Sequence, residues 1–210
     1  MQLSASDLLI IIPIIFFSMA VHEAMHAFTS HWLGDTTARD MGRLSLNPLK
    51  HIDVSTTLLL PILLIAVGLP PIFAAKPVPF NPDRVKFDEF GAALIGIAGP
   101  VTNLVLAAFG ALFLRGLNMP TTLFNILAIF VMVNVAFFVF NMIPFPPLDG
   151  SRLLYALAPE PIQEVMYRIE SMGFMAILLF FIILVPVIGP VITYLNSHIL
   201  HLLLGPMYQL

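Results

Sequence analysis

The polar and apolar positions divide this chain into long apolar runs separated by short polar intervals. The first run extends from Leu8 to Leu33 and predicts a helix from about Ser6, bent at Pro13, with Trp32 at an interface. Gly34-Asp35 ends it, and the polar stretch from Thr36 to His51 contains the turn signal Asn47-Pro48. Residues 54–73 form a second run with Pro61 in its middle and Gly68, Pro70 and Pro71 at its close, so that it either crosses a membrane or dips in and returns. Next, Pro77, Pro79 and Pro82 each remove a backbone donor, which predicts an extended loop or edge strand. Short β-strands are expected within 34–53 and 74–89. Further apolar runs cover Phe90 to Leu114, Thr121 to Phe140 and Gly173 to Leu204. The last, interrupted by Pro186, Gly189 and Pro190, reads as one kinked helix or two pieces.

Composition makes these runs membrane helices. The 210 residues are 59% hydrophobic and 10% charged, with a mean hydropathy of +0.98, outside the range of soluble globular chains. The expected fold is an all-α polytopic membrane protein with about four to six transmembrane or re-entrant helices. It forms a single domain over 1–210, with no room for an appended soluble domain. Met1 to Asp7 carries no Lys or Arg, so the first run is expected to stay as a helix rather than be cleaved as a leader. The net charge of -3 comes without a basic patch, which excludes nucleic acid as a partner. Cysteine is absent, and any metal must be held by His, Asp or Glu.

The basic residues bear on topology. If 54–73 crosses, the nine Lys and Arg divide almost evenly between the two sides. If it re-enters, Arg39, Arg43, Lys50, Lys76, Arg84, Lys86, Arg152 and Arg168 share one side and Arg115 stands alone. The positive-inside rule favours the re-entrant arrangement, a multi-pass protein of the cell membrane with its site nearer the cytoplasmic face.

Chemistry concentrates in His22-Glu23-Ala24-Met25-His26, inside the first run. On a helix, residues four apart share a face, so both imidazoles can reach one ion while Glu23 points beside them. Ionisable groups at membrane depth are costly and mark function. Two His ligands leave room for a third protein ligand and a water whose proton a glutamate can take. Asp149 is the best third ligand: it is the other acidic residue set between strongly apolar stretches, and it lies in the proline-rich break from Asn141 to Gly150. Irregular backbone at membrane depth survives where protein or a wet cavity satisfies it, so this break should line the site. As an N-cap or turn former, Asp149 would serve structure instead. His31 misses the spacing of a third histidine ligand, His51 and Asp53 read as solvated loop residues, and His198 and His201 as interface residues. Asn103 and Asn141 can donate to a developing oxyanion or join helices by hydrogen bonds.

Together with Asn47-Pro48-Leu49-Lys50-His51-Ile52-Asp53, Ala75-Lys76-Pro77-Val78-Pro79, Gly99-Pro100-Val101-Thr102-Asn103 and Leu148-Asp149-Gly150, the paired-histidine motif resembles the site-2 protease family of intramembrane zinc metalloproteases, in its compact form without PDZ or CBS domains. That resemblance implies one Zn2+ per chain held by His22, His26 and Asp149, Glu23 as general base and Asn141 as an oxyanion donor. It implies cleavage of a peptide bond in or near a transmembrane segment of a protein substrate within the lipid bilayer; oligomeric state stays open.

A divalent-metal transporter is the competing class, since broken helices and buried carboxylates also build transit sites. The chain shows no internal repeat, and transport gives Glu23 no task. A silent metal-binding membrane protein would have no need of the His-Glu-Asp set.

Overall fold

The computed structural model describes residues 5–52, 57, 59–66, 68 and 78–205, and for residues 5–8 the backbone alone. Helix α1 (Ala5–Trp32) keeps Pro13 within it and reaches about 42 Å at 1.5 Å per residue. Its C-terminal half buries Ser18, Met19, Ala20, His22, Glu23, Ala24, His26, Ala27 and Ser30, while Phe17, Phe28 and Trp32 face outward. The short helices α2 (Thr37–Asp40) and α3 (Leu60–Ala66) follow, with a 3-10 turn at Pro48–His51 between them and another at Pro82–Arg84.

Helix α4 (Asp88–Gly116) is the hub, packing on α1, on α5 (Thr121–Asn141), on α6 (Gly150–Leu157) and on α9 (Val185–Leu204). Small residues allow it. A Cβ at Gly96 would lie 2.8 Å from Cβ of Arg152 on α6, and one at Gly110 would lie 2.9 Å from a methyl of Val131 on α5. Around the second contact, Ala107, Ala111, Leu114, Val131, Val135, Val139, Leu200 and Leu204 form the apolar core of α4, α5 and α9.

After α7 (Glu160–Ser171), helix α8 (Phe174–Leu179) passes through a π-helical turn at Phe180–Leu184 into α9. The last apolar run is thus one helix from Phe174 to Leu204. The π turn places Phe180 and Phe181 beside Leu60 and Leu64, with Phe140, Phe145 and Leu148 against them. Among the described residues, four helical stretches are long and apolar enough to cross a membrane: Leu9–Trp32, Asp88–Gly116, Thr121–Asn141 and Phe174–Leu204. The protein is an integral, all-helical membrane protein.

The expected strands do not form. Among the described residues of 34–53 and 74–89 there is only helix, turn and loop. The reason is local competition. Asn47 accepts from the Leu49 N–H at 3.0 Å and Asn81 from the Asp83 N–H at 3.0 Å, each just before a proline that starts a 3-10 turn. Such side-chain acceptors take donors that a strand ladder would need. Asp35 does the same over a longer range, accepting from Thr37 Oγ1 at 2.6 Å, the Asn81 N–H at 2.8 Å, and the Thr37 N–H and Ser30 Oγ at 3.0 Å. Residues 53–56, 58, 67 and 69–77 lie outside the described set, and with them Asp53, Lys76 and most of the segment on which the re-entrant reading depends.

Candidate metal centre

The i, i+4 spacing carries His22 and His26 onto the buried face of α1, their rings nearly perpendicular at 80° and their centroids 4.7 Å apart. Each ring is fixed from behind. His22 Nδ1 donates to Asn103 Oδ1 at 2.6 Å, and His26 Nδ1 donates to the Ile95 carbonyl at 2.6 Å, both acceptors on α4. The Asn103 amide is itself oriented, since its Nδ2 donates to Asn134 Oδ1 at 2.9 Å and to the Ser18 carbonyl at 3.4 Å. Asn134 in turn donates to Ser18 Oγ at 3.0 Å and to the Phe130 carbonyl at 2.9 Å. A hydrogen committed at each Nδ1 leaves the Nε2 lone pairs for the other side.

Those lone pairs converge. His22 Nε2 and His26 Nε2 are 3.0 Å apart, and Asp149 Oδ2 lies 3.0 Å from the first and 3.4 Å from the second. Asp149 holds the N-cap position of α6, yet its side chain makes no capping bond and turns to the histidines instead. Two neutral nitrogens and a carboxylate oxygen crowded this way repel unless a cation sits among them. Tetrahedral zinc with bonds of about 2.1 Å would set its ligands about 3.4 Å apart, so the triangle fits the ion in both charge and size. Among the described residues it is the group of His and acidic side chains arranged for a metal.

The wall of this site is Gly99. A Cβ there would stand 2.4 Å from His26 Nε2 and 2.6 Å from His22 Nε2. Glu23, one residue after His22, is 8% exposed, and its Oε2 has no hydrogen-bond partner among the described residues. An unpartnered buried carboxylate oxygen is expensive in a structural role and suited to accepting a proton.

The other sequence candidates fall elsewhere. Asn141, in the last turn of α5, donates through Nδ2 to the Phe137 carbonyl of its own helix at 2.9 Å. Tyr194 stacks on His198, and neither His198 nor His201 joins the triangle. His51 is not a solvated loop residue: it is 0% exposed. Asn134 and Ser18, which complete the support behind His22, were not singled out in the sequence. The available signal was a polar residue within an apolar span.

A helical membrane protein that brings His-x-x-x-His, an intervening glutamate and a distant aspartate to one buried point belongs to the class of metal-dependent membrane hydrolases. Comparison with known proteins narrows this. The model of Peptidase family M50 matches residues 116–185. The chain is 38% identical over 189 residues to a protein of Bacillus subtilis (strain 168), the alignment covering 86% of this chain and 82% of that one. It is 29% identical over 170 residues to one from Mycolicibacterium smegmatis (strain ATCC 700084 / mc(2)155), covering 79% of this chain and 63% of the relative. Both carry the name "Putative zinc metalloprotease", YwhC in the first and Rip2 in the second. No solved structure gives a significant match. The chain belongs to peptidase family M50, the site-2 proteases, and is a zinc metalloendopeptidase acting on protein substrates.

Proposed function

We propose that this protein is an intramembrane endopeptidase that hydrolyses a peptide bond in or near a transmembrane segment of another membrane protein. The observation that carries the reading is the Oε2 of Glu23, without a partner among the described residues, beside the His22–His26–Asp149 triangle, on helices long enough to cross the bilayer. His22 Nε2, His26 Nε2 and an Asp149 carboxylate oxygen would hold one zinc per chain. Bound zinc supplies Lewis acidity and lowers the pKa of water to about 7. Glu23 would accept a proton from the attacking water, whose oxygen bonds the scissile carbonyl carbon, and pass it to the amine nitrogen as the C–N bond breaks, so that the carboxylate is regenerated and one water is consumed. Asn103 and Ile95 keep each Nδ1 occupied, so that each Nε2 faces the reaction. Asn141 would donate to the developing oxyanion by turning its amide away from the Phe137 carbonyl.

The single domain of residues 1–210 would lie in the cell membrane with this site nearer the cytoplasmic face, as the Lys and Arg distribution favours for a re-entrant 54–73. A substrate helix hides its carbonyls in its own hydrogen bonds, so it must unwind locally before Glu23 and the metal can act.

The test is Glu23→Gln, measured for zinc content and for cleavage of a panel of purified single-span membrane proteins. Zinc is expected to stay and hydrolysis to fall by at least about 100-fold, since the amide is near-isosteric but takes no proton. Equal turnover by variant and parent would remove Glu23 from the mechanism.

A further inference from the structure

Two of the three ligands are held from behind by α4, whose Asn103 and Ile95 accept from the Nδ1 atoms of His22 and His26. Asp149 arrives instead from the irregular break before α6, and its side chain makes no capping bond, so its aim follows from where the first turn of α6 rests. That turn rests on α4 at Gly96. A Cβ there would lie 2.9 Å from the Asp149 carbonyl oxygen, 2.8 Å from Arg152 Cβ and 2.9 Å from Arg152 Cγ. The Arg152 N–H closes the turn on the same carbonyl at 3.0 Å. From this seat the Arg152 side chain reaches two further elements. Its guanidinium pairs with Glu170 of α7 and lies 5.4 Å from the centroid of the Phe80 ring. Phe80 packs against Leu33, Val85 and Ile95, and the next N–H, that of Asn81, donates to Asp35 just beyond the end of α1 at 2.8 Å. Helix α6 has eight residues, too few to hold its own geometry. Arg152 ties it to the elements that carry the histidines.

We propose that Arg152 is a positioning residue for Asp149: its stem on Gly96, its stack on Phe80 and its pair with Glu170 fix the first turn of α6, and with it the distance of the carboxylate from the two imidazoles. Arginine suits this task because one planar group offers a face to the ring and N–H donors to the carboxylate. The inference deepens, and rests on, the hydrolase reading above.

The test is zinc affinity by competition with a chelator. Arg152→Gln should bind zinc about 10- to 100-fold more weakly than the parent, the range for losing support behind a metal ligand. Arg152→Lys keeps the charge and the stem, and should recover to within about fivefold of the parent. Phe80→Leu and Glu170→Gln each remove one arm and should cost about two- to fivefold. Arg168→Gln breaks the exposed Arg168–Glu164 pair on α7 and should leave affinity unchanged. Parent-like affinity in Arg152→Gln would make Arg152 a fastener of α6 to α7 and overturn the proposal. So would a loss in Arg168→Gln as large as in Arg152→Gln. A second measurement needs no metal: amide hydrogen exchange of the zinc-free protein. Arg152→Gln should speed exchange in residues 148–157 by about tenfold or more and leave residues 18–30 of α1 as in the parent. Unchanged exchange in 148–157, or equal acceleration in both stretches, would overturn the proposal. Should the parent bind no zinc, the hydrolase reading fails by itself and the exchange rates still decide whether Arg152 fixes the turn that carries Asp149.

Discussion

Helix α1 and the last helix, Phe174 to Leu204, are both long enough to cross a bilayer, and they are built to opposite ends. Of the four candidate spans α1 has the lowest hydropathy and the last helix the highest, yet 39% of the α1 window is buried inside the protein against 17% of the last. In a water-soluble domain the order would be reversed. Lipid is as apolar as Leu, so it gives Leu no reason to turn inward, while each imidazole, carboxylate and amide must find a partner within the protein. The interior of this molecule is accordingly where its polar and small residues go: Ser18, His22, Glu23 and His26 on α1, Gly99 and Asn103 on α4, Asn134 on α5. The last helix shows mostly Ile, Val, Leu and Tyr outward, including Ile183, Val187, Val191 and Tyr194.

The sharpest way to break this contrast is Gly99→Ala. The added Cβ would fall 2.4 Å and 2.6 Å from the two Nε2 atoms, closer than carbon and nitrogen approach without bonding, and directly on the face where zinc would sit. Loss of nearly all bound zinc is expected by metal analysis, with the helices still assembled by circular dichroism. A zinc-replete Gly99→Ala protein would mean that the imidazoles point elsewhere when loaded.

Next in size is Asn103→Ala. It strips His22 Nδ1 of its acceptor and Asn134 Oδ1 of its donor in a site without solvent. An unsatisfied buried group costs about 1–3 kcal/mol, and second-shell partners of metal-bound histidines carry about 10- to 100-fold in affinity. Competition with a chelator would measure the second figure. Unchanged affinity would make the amide network a fastener of α1, α4 and α5 and nothing more.

The same contrast explains what could be read from the sequence. His22, Glu23 and His26 were legible because the helical period alone puts them together, and Asp149 because three prolines around it ruled out continuous helix at membrane depth. The four described helices long and apolar enough to cross a membrane, against about four to six expected, followed from their length and hydropathy. What escaped was pairing. That Asn103 joins His22 to Asn134 and Ser18, or that His51 lies buried against α1, depends on which helices touch, and no periodicity in α5 or in the 48–51 turn encodes that. The expected strands failed for a different reason. Asn47-Pro48 was recognised as a turn former and the stretch ending at Pro82 was expected as an extended loop or edge strand, but the side-chain bonds of Asn47 and Asn81 take the donors around each proline and leave no ladder to extend.

Where α1 ends, Asp35 offers a smaller test. Burial pushes its carboxyl up, and the bonds from Thr37, Asn81 and Ser30 outweigh this and hold it below the ordinary value of 3.8. A carboxylate depressed in the folded state stabilises the fold above its unfolded pKa, about 3.9, and loses that contribution as pH falls through the lower folded value. Thermal midpoints of the parent and Asp35→Asn should therefore differ most near neutral pH and draw together below pH of about 4. A gap that stays constant from neutral to acid pH would mean that the carboxylate charge contributes nothing to joining α1 to the 78–85 segment.

The smallest effect should come from the last helix itself. Asn196 is, like Asn103, an amide within an apolar span, and the two look alike in sequence. Its Nδ2 donates at 3.0 Å to the Ile192 carbonyl, four residues back on the same helix. That carbonyl already belongs to the helix ladder, so removing the amide orphans nothing, and Ala is the better helix former. Asn196→Ala should thus stay within about 0.5 kcal/mol of the parent and keep its zinc, measured by thermal unfolding in detergent and by metal analysis. Asn103→Ala under the same conditions supplies the scale. If Asn196→Ala cost as much, the outward face of the last helix would have a partner of its own, such as a second copy of the chain, and the division into a polar interior and a lipid-facing helix would be wrong on that side of the molecule.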